Sequence, residues 1–441
     1  MSTTRRSFMK QSAAMLAGAG LAGTIPHTLM ASERKVAPSD TIRIGAIGIN
    51  GMGWTNVRSH LKVPDVEVVA LCDVDGNVLE RRAGELTEMT GKKPATYKDF
   101  RALLDDPDLD AVIVATPDHW HPLITIAACE AGKDVYVEKP LANSIEECNV
   151  MVAAADHYGR IVQVGQWQRS GPHWDTAMAF VHSGQLGNIR TVKAWAYQGW
   201  MKNIPVRPDE PAPASVDYDL WLGPAPERPF NPNRFHFNFR WFWDYAGGLM
   251  TDWGVHLIDM VLYGMKAVAP NAVLSAGGAF AYPDGGMETP DTQQAVFEYD
   301  GFSMIWEHAA GIDNGPYGRN HGVAFIGNNG TLVVDRRGWE VIPETEGDTP
   351  KMDAIPKQPV SEPGLDRHTR NFAECIKSRE QPACPPKTAW LAAVNAHLGN
   401  VAFKTGRKVY WDQATGSFVG DDEANALIKS HYRAPWKLPT M

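Results

Sequence analysis

Short apolar runs alternate with helical patterns through the first third of the chain. The runs have the length of strands, and the stretches between them carry apolar positions three or four residues apart. This alternation predicts a parallel, doubly wound sheet, in which ligands bind at the carboxyl ends of the strands. The predicted strands cover residues 41–48, 66–73, 112–115, 134–138 and 161–165.

The pattern changes after residue 165, where apolar and polar positions alternate and Gly and Pro turns separate the runs. Alternation with period two predicts a mostly antiparallel sheet with one open face. The segment 201–240 is rich in Pro and aromatic residues. It is longer than a simple loop between strands needs to be, so we expect it to line a site. Helical periodicity returns over residues 366–405. The predicted strands of this second sheet cover residues 190–197, 272–281, 293–299, 303–309 and 322–326.

Length and charge limit the classes of function. The chain has 441 residues, which is enough for two sizeable cores. Its net charge of −9 argues against a nucleic-acid partner and against binding to an anionic membrane surface. Of the five cysteines, Cys72, Cys129 and Cys148 lie in apolar patterns and are expected in the core. Cys375 and Cys384 are the remaining candidates for a disulfide after export, although we expect them to be unpaired.

The amino terminus has the form of a targeting segment. Residues 4–10 read Thr-Arg-Arg-Ser-Phe-Met-Lys, the twin-arginine form, and residues 13–24 are a mild apolar stretch rich in Gly and Ala. This predicts export of the folded protein to the periplasm, with cleavage after Ala31 as the best site. An uncleaved anchor and a frayed basic tail are the alternatives. If an exported protein uses a soluble cofactor, it must hold that cofactor tightly and regenerate it in place, because the periplasm has no free pool of it.

The loop after the first predicted strand resembles the G-x-G-x-x-G fingerprint of dinucleotide binding. Gly48 and Gly53 take its outer places, which serve the tight bend and the close packing of the next helix. Asn50 departs from the fingerprint at the middle place, but Asn is the non-glycine residue that best tolerates a positive φ. Asp73 lies 20 positions past Gly53 (73 − 53), where an acid binds ribose hydroxyls and repels a 2′-phosphate. The sequence therefore favours NAD over NADP, with Asp75 as the alternative ribose ligand.

Three residues have the chemistry that alcohol oxidation needs. Lys139, in a Glu-Lys-Pro step, is suited to stabilise negative charge on an oxygen and to lower the pKa of a nearby group. Asp252 and His256 are four positions apart, which places them on one face of a helix. His256 is suited to accept the hydroxyl proton, and Asp252 to bond the same hydroxyl or to orient the imidazole. The alternatives are a surface pair and a pair of metal ligands; without a third ligand at a persuasive spacing, we expect no metal.

Aromatic residues crowd the region before Asp252 and suit the C–H faces of a pyranose or cyclitol ring. Arginines and histidines near them have donors for hydroxyls or a carboxylate. The alternative is that most of these rings fill the core between two domains. The expected substrate-binding residues are Gln166, Trp167, Arg169, His173, Trp200, Arg240 and Trp241.

The chain resembles the Gfo/Idh/MocA oxidoreductases. The resemblance rests on the loop from Gly48 to Gly53, on Asp73, on Thr116-Pro117 with His121, on Glu138-Lys139-Pro140 and on Asp252-x-x-x-His256. It implies a Rossmann domain followed by an α/β domain with a large open sheet, a Lys139–Pro140 bond that is often cis, and Lys139, Asp252 and His256 as the catalytic trio. The cofactor-binding residues expected from the loop and the resemblance together are Gly48, Asn50, Gly51, Met52, Gly53, Asp73, Thr116, Pro117, His121, Glu138 and Lys139.

Patterns and motifs together predict an α/β protein in five parts. Residues 1–31 are the signal segment, 32–40 a linker, 41–165 the NAD(P)-binding domain, 166–411 the domain for substrate binding and oligomerisation, and 412–441 an arm with one short helix.

The expected function is an exported NAD(P)-dependent oxidoreductase of a sugar or cyclitol. Two alternatives are a redox-neutral glycosidase or lyase that passes through a transient keto-sugar, and a non-catalytic sugar-binding protein that keeps the cofactor as a relic. Because an open sheet face usually needs covering, we expect a homodimer or homotetramer.

Overall fold

The computed structural model describes residues 40–441. The predicted signal segment, residues 1–31, and nearly all of the predicted linker, residues 32–40, lie outside the described residues.

Six parallel strands form the first sheet, namely β1 (Ile42–Ile47), β2 (Val66–Cys72), β3 (Ala95–Tyr97), β4 (Ala111–Val114), β5 (Asp134–Val137) and β6 (Val162–Val164). Their order is β3-β2-β1-β4-β5-β6, so the doubly wound Rossmann arrangement predicted from the sequence is confirmed. β4 and β5 are buried along their whole length because hydrophobic clusters cover both faces of the sheet. The helices of this region are α1 (Gly51–His60), α2 (Gly76–Thr90), α3 (Phe100–Leu104), α4 (His121–Glu130) and α5 (Ile145–Tyr158).

Ten strands form the second sheet, namely β7 (Ile189–Gln198), β8 (Ala272–Gly278), β9 (Thr292–Tyr299), β10 (Phe302–Ala310), β11 (His321–Gly327), β12 (Gly330–Asp335), β13 (Gly338–Pro343), β16 (Ile355–Gln358), β17 (Val409–Asp412) and β18 (Ser417–Phe418). A separate small hairpin contains β14 (Thr345–Glu346) and β15 (Thr349–Pro350). The order of the large sheet is β16-β13-β12-β11-β7-β10-β9-β8-β17-β18. Within the described chain, β7 and β10 are its one parallel pair, so the predicted mostly antiparallel sheet is confirmed.

The remaining helices are α6 (Pro172–His182), α7 (Tyr218–Leu222), α8 (Gly248–Asp252), α9 (Gly254–Met265), α10 (Gly364–Ser378), α11 (Pro386–Thr405) and α12 (Asp422–Ala426). None of the helices within residues 40–441 is long and apolar enough to cross a membrane.

The two faces of the large sheet differ in exposure. Strand register places Val273, Phe297 and Met304 in one row, and side chains of α9 and α11 bury that row. The opposite row contains Leu274 and Val296, and Leu274 is 50% exposed. The second sheet is therefore covered on one face and open over these strands on the other.

The chain returns to the first sheet near its end. Phe372 of α10 packs in the cluster on one side of that sheet, and Ala393 of α11 packs in the cluster on the other side. Between these helices, the Cys384 carbonyl accepts a hydrogen bond from the Val164 amide at 2.9 Å. Both faces of the first sheet are therefore covered in part by residues from the last sixth of the sequence.

The tail is partly strand rather than an arm throughout. β17 and β18 extend the large sheet across residue 412, and α12 is shorter than the predicted helix near residues 422–431. Farther on, the Tyr432 hydroxyl donates to Glu147 at 2.7 Å, and Trp436 packs edge-on against Trp120.

All five cysteines lie in the described part of the chain, where each is buried and unpaired, as expected.

Candidate active site

A cleft of about 690 Å³ opens at the carboxyl ends of the first sheet. Its walls contain the loop after β1, the segments after β4 and β5, and residues near α8 and α9. Ligands of doubly wound sheets bind at this edge, because the connections there diverge. The cleft therefore joins the predicted nucleotide loop to the predicted catalytic residues.

Glycine is required at both ends of the nucleotide loop. Gly48 has a φ of +77°, and a Cβ there would lie 2.8 Å from the backbone of Ala115. A Cβ on Gly53 would lie 1.9 Å from the Gly48 carbonyl oxygen, so only glycine lets α1 pack this closely. Asn50 does not need its tolerance of positive φ, since its φ is −92°. The positive φ falls on the neighbouring Gly51, at +47°.

The loop and the following acid fit a dinucleotide. Asn50 precedes α1 without capping it through its side chain, which leaves the first N–H groups of the helix to face the cleft. The Asp73 carboxylate also lines the cleft, where it accepts hydrogen bonds from the amides of Ile49 and Asp75, both at 3.0 Å. Burial raises the pKa of Asp73, and these two bonds oppose the rise. Gly48 to Met52 would hold the pyrophosphate and Asp73 the ribose hydroxyls.

Asp75, the alternative ribose ligand, is engaged elsewhere. Its carboxylate caps α2 by accepting from the Asn77 amide at 3.0 Å. Its second oxygen lies 3.1 Å from Nε2 of His236. The geometry therefore favours Asp73 for the ribose.

Lys139 meets Asp252 across the cleft. The lysine Nζ lies 2.7 Å from Oδ1 of Asp252 and 2.8 Å from its carbonyl oxygen. Arg240 donates to the same Oδ1 at 3.2 Å. Burial would raise the pKa of Asp252, but the two cations outweigh it and lower the pKa to about 2. Asp252 is therefore ionised and fixes the position of both cations.

The residues next to Lys139 are held in place. The Lys139–Pro140 peptide bond is cis. Glu138 accepts from Nδ2 of Asn56 at 2.8 Å and from the Lys139 amide at 3.1 Å. Burial raises the pKa of Glu138, while these bonds and the charge of Lys139 oppose the rise.

His256 lines the same cleft and is 5% exposed. Burial lowers its pKa well below the usual range, and the charges of Arg336, Lys139 and His321 lower it further. Within residues 40–441, its Nδ1 has no hydrogen-bond partner. The imidazole is therefore neutral and has an unused nitrogen.

Asp252 and His256 do not share one regular helix. α8 ends at Asp252, Trp253 interrupts the helix, and α9 carries His256. The carboxylate of Asp252 bonds Lys139 and Arg240 rather than the imidazole. Asp252 thus orients the lysine, and its carboxylate makes no hydrogen bond to the imidazole of His256 within the described chain.

The predicted cofactor residues after β4 divide between two environments. Thr116 and Pro117 line the cleft. His121 lies outside the lining and is 1% exposed, with ring nitrogens 2.8 Å from the Pro140 carbonyl and 3.0 Å from the Thr116 carbonyl. Burial lowers its pKa to about 4, so the neutral ring donates to one of these carbonyls. His121 therefore supports the turns that carry Thr116 and Lys139 instead of touching a ligand.

The predicted substrate residues divide in the same way. Trp167, Trp200 and Arg240 line the cleft. Trp241 is 2% exposed and lies beneath Trp200, with ring centroids 6.4 Å apart.

Three further predicted substrate residues are structural. Arg169 forms a two-bond ion pair with the buried Asp259, at 2.6 and 2.8 Å. The buried Gln166 and His173 donate to the carbonyls of Val255 and Asp335. All three lie outside the lining of the cleft, and their internal partners cannot be read from local sequence.

The cleft also contains residues that the sequence predictions did not include. Asp118 follows Thr116 and Pro117 at the end of β4, a position that marks a site in any parallel sheet. It is 5% exposed, and burial raises its pKa to about 8 despite the charges of Arg240 and Lys139. The carboxyl is therefore protonated at neutral pH.

Trp221, Phe235, His236 and Phe237 also line the cleft, and they lie in the segment 201–240 that we expected to line a site. Trp253 and Arg336 line it as well, and neither has a functional signal in the sequence.

The arrangement suits alcohol oxidation. A neutral imidazole, an ammonium and a carboxyl face one cleft that begins at a dinucleotide loop. Within residues 40–441, no group of three His, Cys, Asp or Glu side chains is placed to hold a metal ion.

Sequence comparison assigns almost the whole described chain to two family domains. Residues 42–166 match an oxidoreductase family with an NAD-binding Rossmann fold, and residues 182–276 and 291–438 match the C-terminal alpha/beta domain of the same family. A glycosyl hydrolase family 109 protein of Shewanella baltica is 33% identical over 173 residues. That match covers 34% of this chain and only 37% of the length of the relative.

Solved structures show the same fold. A levoglucosan dehydrogenase in complex with NADH matches with a TM-score of 0.65 and 20% identity, over 85% of this chain and 100% of that one. An aldose-aldose oxidoreductase from Caulobacter crescentus, complexed with glycerol, matches with a TM-score of 0.63 and 21% identity, over 84% of this chain and 100% of that one. Together with the two domain matches, they confirm the expected resemblance: the chain belongs to the Gfo/Idh/MocA family of oxidoreductases, with an NAD-binding Rossmann fold and the family's C-terminal α/β domain.

Proposed function

We propose that the chain is an exported NAD-dependent oxidoreductase that transfers hydride between a secondary alcohol of a sugar or cyclitol and a tightly held cofactor. The observation that carries this proposal is the convergence of Lys139, Asp252 and His256 on the cleft that begins at the nucleotide loop. NADP is disfavoured because the carboxylate of Asp73 would repel its 2′-phosphate.

The chain's own residues supply the proton chemistry. A bound nicotinamide would supply the hydride acceptor. His256 is neutral and lines the cleft, where it takes the hydroxyl proton of the substrate. Lys139 stabilises negative charge on the same oxygen, and Asp252 keeps the ammonium in position through its 2.7 Å contact.

Aromatic residues at the cleft support a ring substrate. Trp167, Trp200 and Phe237 line it, and the C–H faces of a pyranose or cyclitol pack well on flat rings. Both solved neighbours act, by their names, on sugars.

Two experiments test the activity. Denaturing the purified protein and identifying the released nucleotide tests the tightly held NAD. Adding sugars and cyclitols while following the absorbance of the reduced nicotinamide tests the chemistry. A preparation that neither contains nor binds a nicotinamide nucleotide contradicts the proposal.

Export rests on the sequence of residues 4–10. The expected location is the periplasm, reached through the twin-arginine machinery. Fractionating cells that express the full chain, and the same chain with Arg5→Lys and Arg6→Lys, measures this. Equal amounts in the periplasm for both chains contradict the export route.

A second candidate is a redox-neutral glycosidase or lyase that acts through a transient keto-sugar. The similarity to a glycosyl hydrolase family 109 protein, at 33% identity over part of the chain, favours it. Release of free aglycone from a glycoside without an added acceptor supports this candidate. Stable accumulation of reduced cofactor, or a need for a carbonyl acceptor, supports the oxidoreductase.

A homodimer or homotetramer is proposed from the open face of the large sheet, where Leu274 is 50% exposed. Light scattering measures the mass, and a monomer contradicts this proposal. Leu274→Asp should lower the mass if the open face forms the contact.

A further inference from the structure

Arg336, in the turn after β12, is the cation of the cleft whose role the proposed chemistry leaves unexplained. Its guanidinium carbon lies 4.5 Å from the ring centroid of Trp167 and 4.5 Å from that of Trp253. Two indole rings therefore flank the planar group. These two cation–π contacts hold the guanidinium at the wall of the cleft, which Arg336 lines.

The hydrogen bonds of Arg336 leave most of its donors unused. Its Nε donates to Oε1 of Gln168 at 3.1 Å. Arg319 and Arg337 pair with Asp335, whereas Arg336 forms no ion pair with any residue of the described chain. No hydrogen bond or ion pair within the described chain therefore uses the two terminal amino groups of the guanidinium.

The charge around Arg336 is unbalanced. Asp252 is the ionised carboxylate of this part of the cleft, and Lys139 and Arg240 already bond it. Burial lowers the pKa of Arg336 to about 10, and the charge of Asp252 only partly opposes that fall. A desolvated cation without an internal partner is costly unless a ligand supplies the missing charge.

We propose that Arg336 binds a carboxylate group of the substrate, and that the substrate class is therefore an acidic sugar, a uronic acid or a glycoside of one. This inference rests on the proposed function and specifies its substrate. A carboxylate accepts two parallel N–H bonds from a guanidinium, and the terminal amino groups of Arg336 have no partner within the described chain.

The charge count favours a carboxylate over a phosphate ester. One unpaired guanidinium balances one negative charge, whereas a phosphate monoester carries between one and two negative charges at neutral pH. Lys139 and Arg240 are held by Asp252 and do not supply the second cation.

The anchor also places the reacting hydroxyl. Gln168 accepts from Arg336 and donates to the carbonyl of His256 at 3.0 Å, so one amide joins the carboxylate-binding group to the proton acceptor. A sugar ring whose carboxylate is bound at Arg336 would present a ring hydroxyl to His256. The link through Gln168 would thus select sugars in which the carboxylate and the reacting hydroxyl are correctly spaced.

The test compares uronates with hexoses of the same stereochemistry, using the full protein with NAD. Reduction of the nicotinamide gives kcat/KM, and calorimetry of the same sugars gives affinity without turnover. We expect the uronate of the best pair to exceed its hexose at least tenfold in both measurements. Arg336→Met should lower the ratio of the uronate value to the hexose value by about 10- to 100-fold. Arg336→Lys should retain part of the preference, because it keeps the charge but loses the two-bond geometry.

The matched control is Arg337→Met, because Arg337 is the next residue, is 58% exposed and pairs with Asp335 away from the cleft. Its preference should equal that of the unaltered protein, and NAD titration of each variant verifies the fold. The inference is overturned if hexoses equal uronates, if Arg336→Met keeps the preference, or if hexose 6-phosphates bind better than both. If no sugar is oxidised, the proposed function fails, while uronate binding that depends on Arg336 would still support the inference.

Discussion

The ammonium of Lys139 lies 2.7 Å from the carboxylate of Asp252, although the two residues are 113 positions apart. The same nitrogen donates to the carbonyl oxygen of Asp252 at 2.8 Å. A flexible lysine is thus held at one point of the cleft by two oxygens of a single residue. Charge stabilisation by a preorganised group needs no reorganisation during the reaction.

Replacing Lys139 by Met should remove this stabilisation and leave the nucleotide loop intact. We expect turnover to fall by about 10²–10³ while the affinity for NAD changes little. Initial rates and fluorescence titration with NAD measure the two effects. Lys92→Met is the matched control, because Lys92 is 69% exposed and pairs with Glu67 on the surface. Unchanged turnover in the Lys139 variant would refute its role.

Asp252→Asn should destabilise the protein in a pH-dependent way. Removing the shared carboxylate leaves Lys139 and Arg240 unpaired, which should cost about 3 kcal/mol of the free energy of unfolding at neutral pH. The folded pKa, about 2, lies below the unfolded value near 3.9. The difference should therefore be complete above about pH 4 and shrink as the pH falls towards 2. Urea unfolding at several pH values measures it, with the exposed Asp353→Asn as control. A variant as stable as the original at pH 7 contradicts the ion pair.

Arg336→Met should change the pH dependence of turnover with a neutral sugar. The positive charges of Arg336, Lys139 and His321 all disfavour protonation of the buried His256. Removing one of these charges should raise the pKa of His256, and the acidic limb of the pH–rate profile should move to higher pH. Since a base acts only when deprotonated, a shift to lower pH would contradict His256 as the proton acceptor.

Gly53→Ala should damage the nucleotide loop sterically. The added Cβ would lie 1.9 Å from the carbonyl oxygen of Gly48, so α1 must move away from β1. We expect a loss of about 1–3 kcal/mol in stability and a weaker affinity for NAD. Gly84→Ala in α2 is the control, because nothing lies within 4 Å of its Cβ and alanine favours a helix. Equal unfolding midpoints for the two variants would show that the close packing is not needed.

Asp73 and Asp75 can be separated by cofactor preference. Asp73→Ser removes the carboxylate at the cleft and should raise the affinity for NADP relative to NAD by at least about tenfold. Asp75→Asn should change that ratio little, because Asp75 caps α2 and contacts His236. Titration with both nucleotides measures the ratio. A larger change in the Asp75 variant would reassign the ribose ligand.

The sequence predicts the first sheet well because its signal is local. β4 is a continuous apolar run and β5 is apolar after Asp134, as is typical of fully buried parallel strands. The glycines of the loop are also recognisable in the sequence, because the tight bend requires glycine at a fixed spacing. Lys139, Asp252 and His256 were recognisable by residue type and resemblance, and the structure brings them to one cleft.

The sequence does not show which polar side chains already have a partner that is distant along the chain. Arg169 has the chemistry of a substrate ligand, but Asp259, 90 positions away, occupies it. Arg336 presents the opposite case. It stands beside Arg337 in a turn between antiparallel strands, where no strand-end rule marks a site, and only the rings of Trp167 and Trp253 distinguish it. The local sequence pattern shows which functional group a residue carries. Whether that group already has a hydrogen-bond or ion-pair partner depends on tertiary contacts.

The packing of α10 and α11 against the first sheet determines when the core of that sheet can be completed. Phe372 and Ala393 complete the hydrophobic clusters on the two faces of that sheet. During synthesis, both surfaces therefore stay incomplete until the ribosome has made nearly the entire polypeptide. The nucleotide-binding domain is encoded first, yet its hydrophobic clusters are completed by helices near the end of the chain.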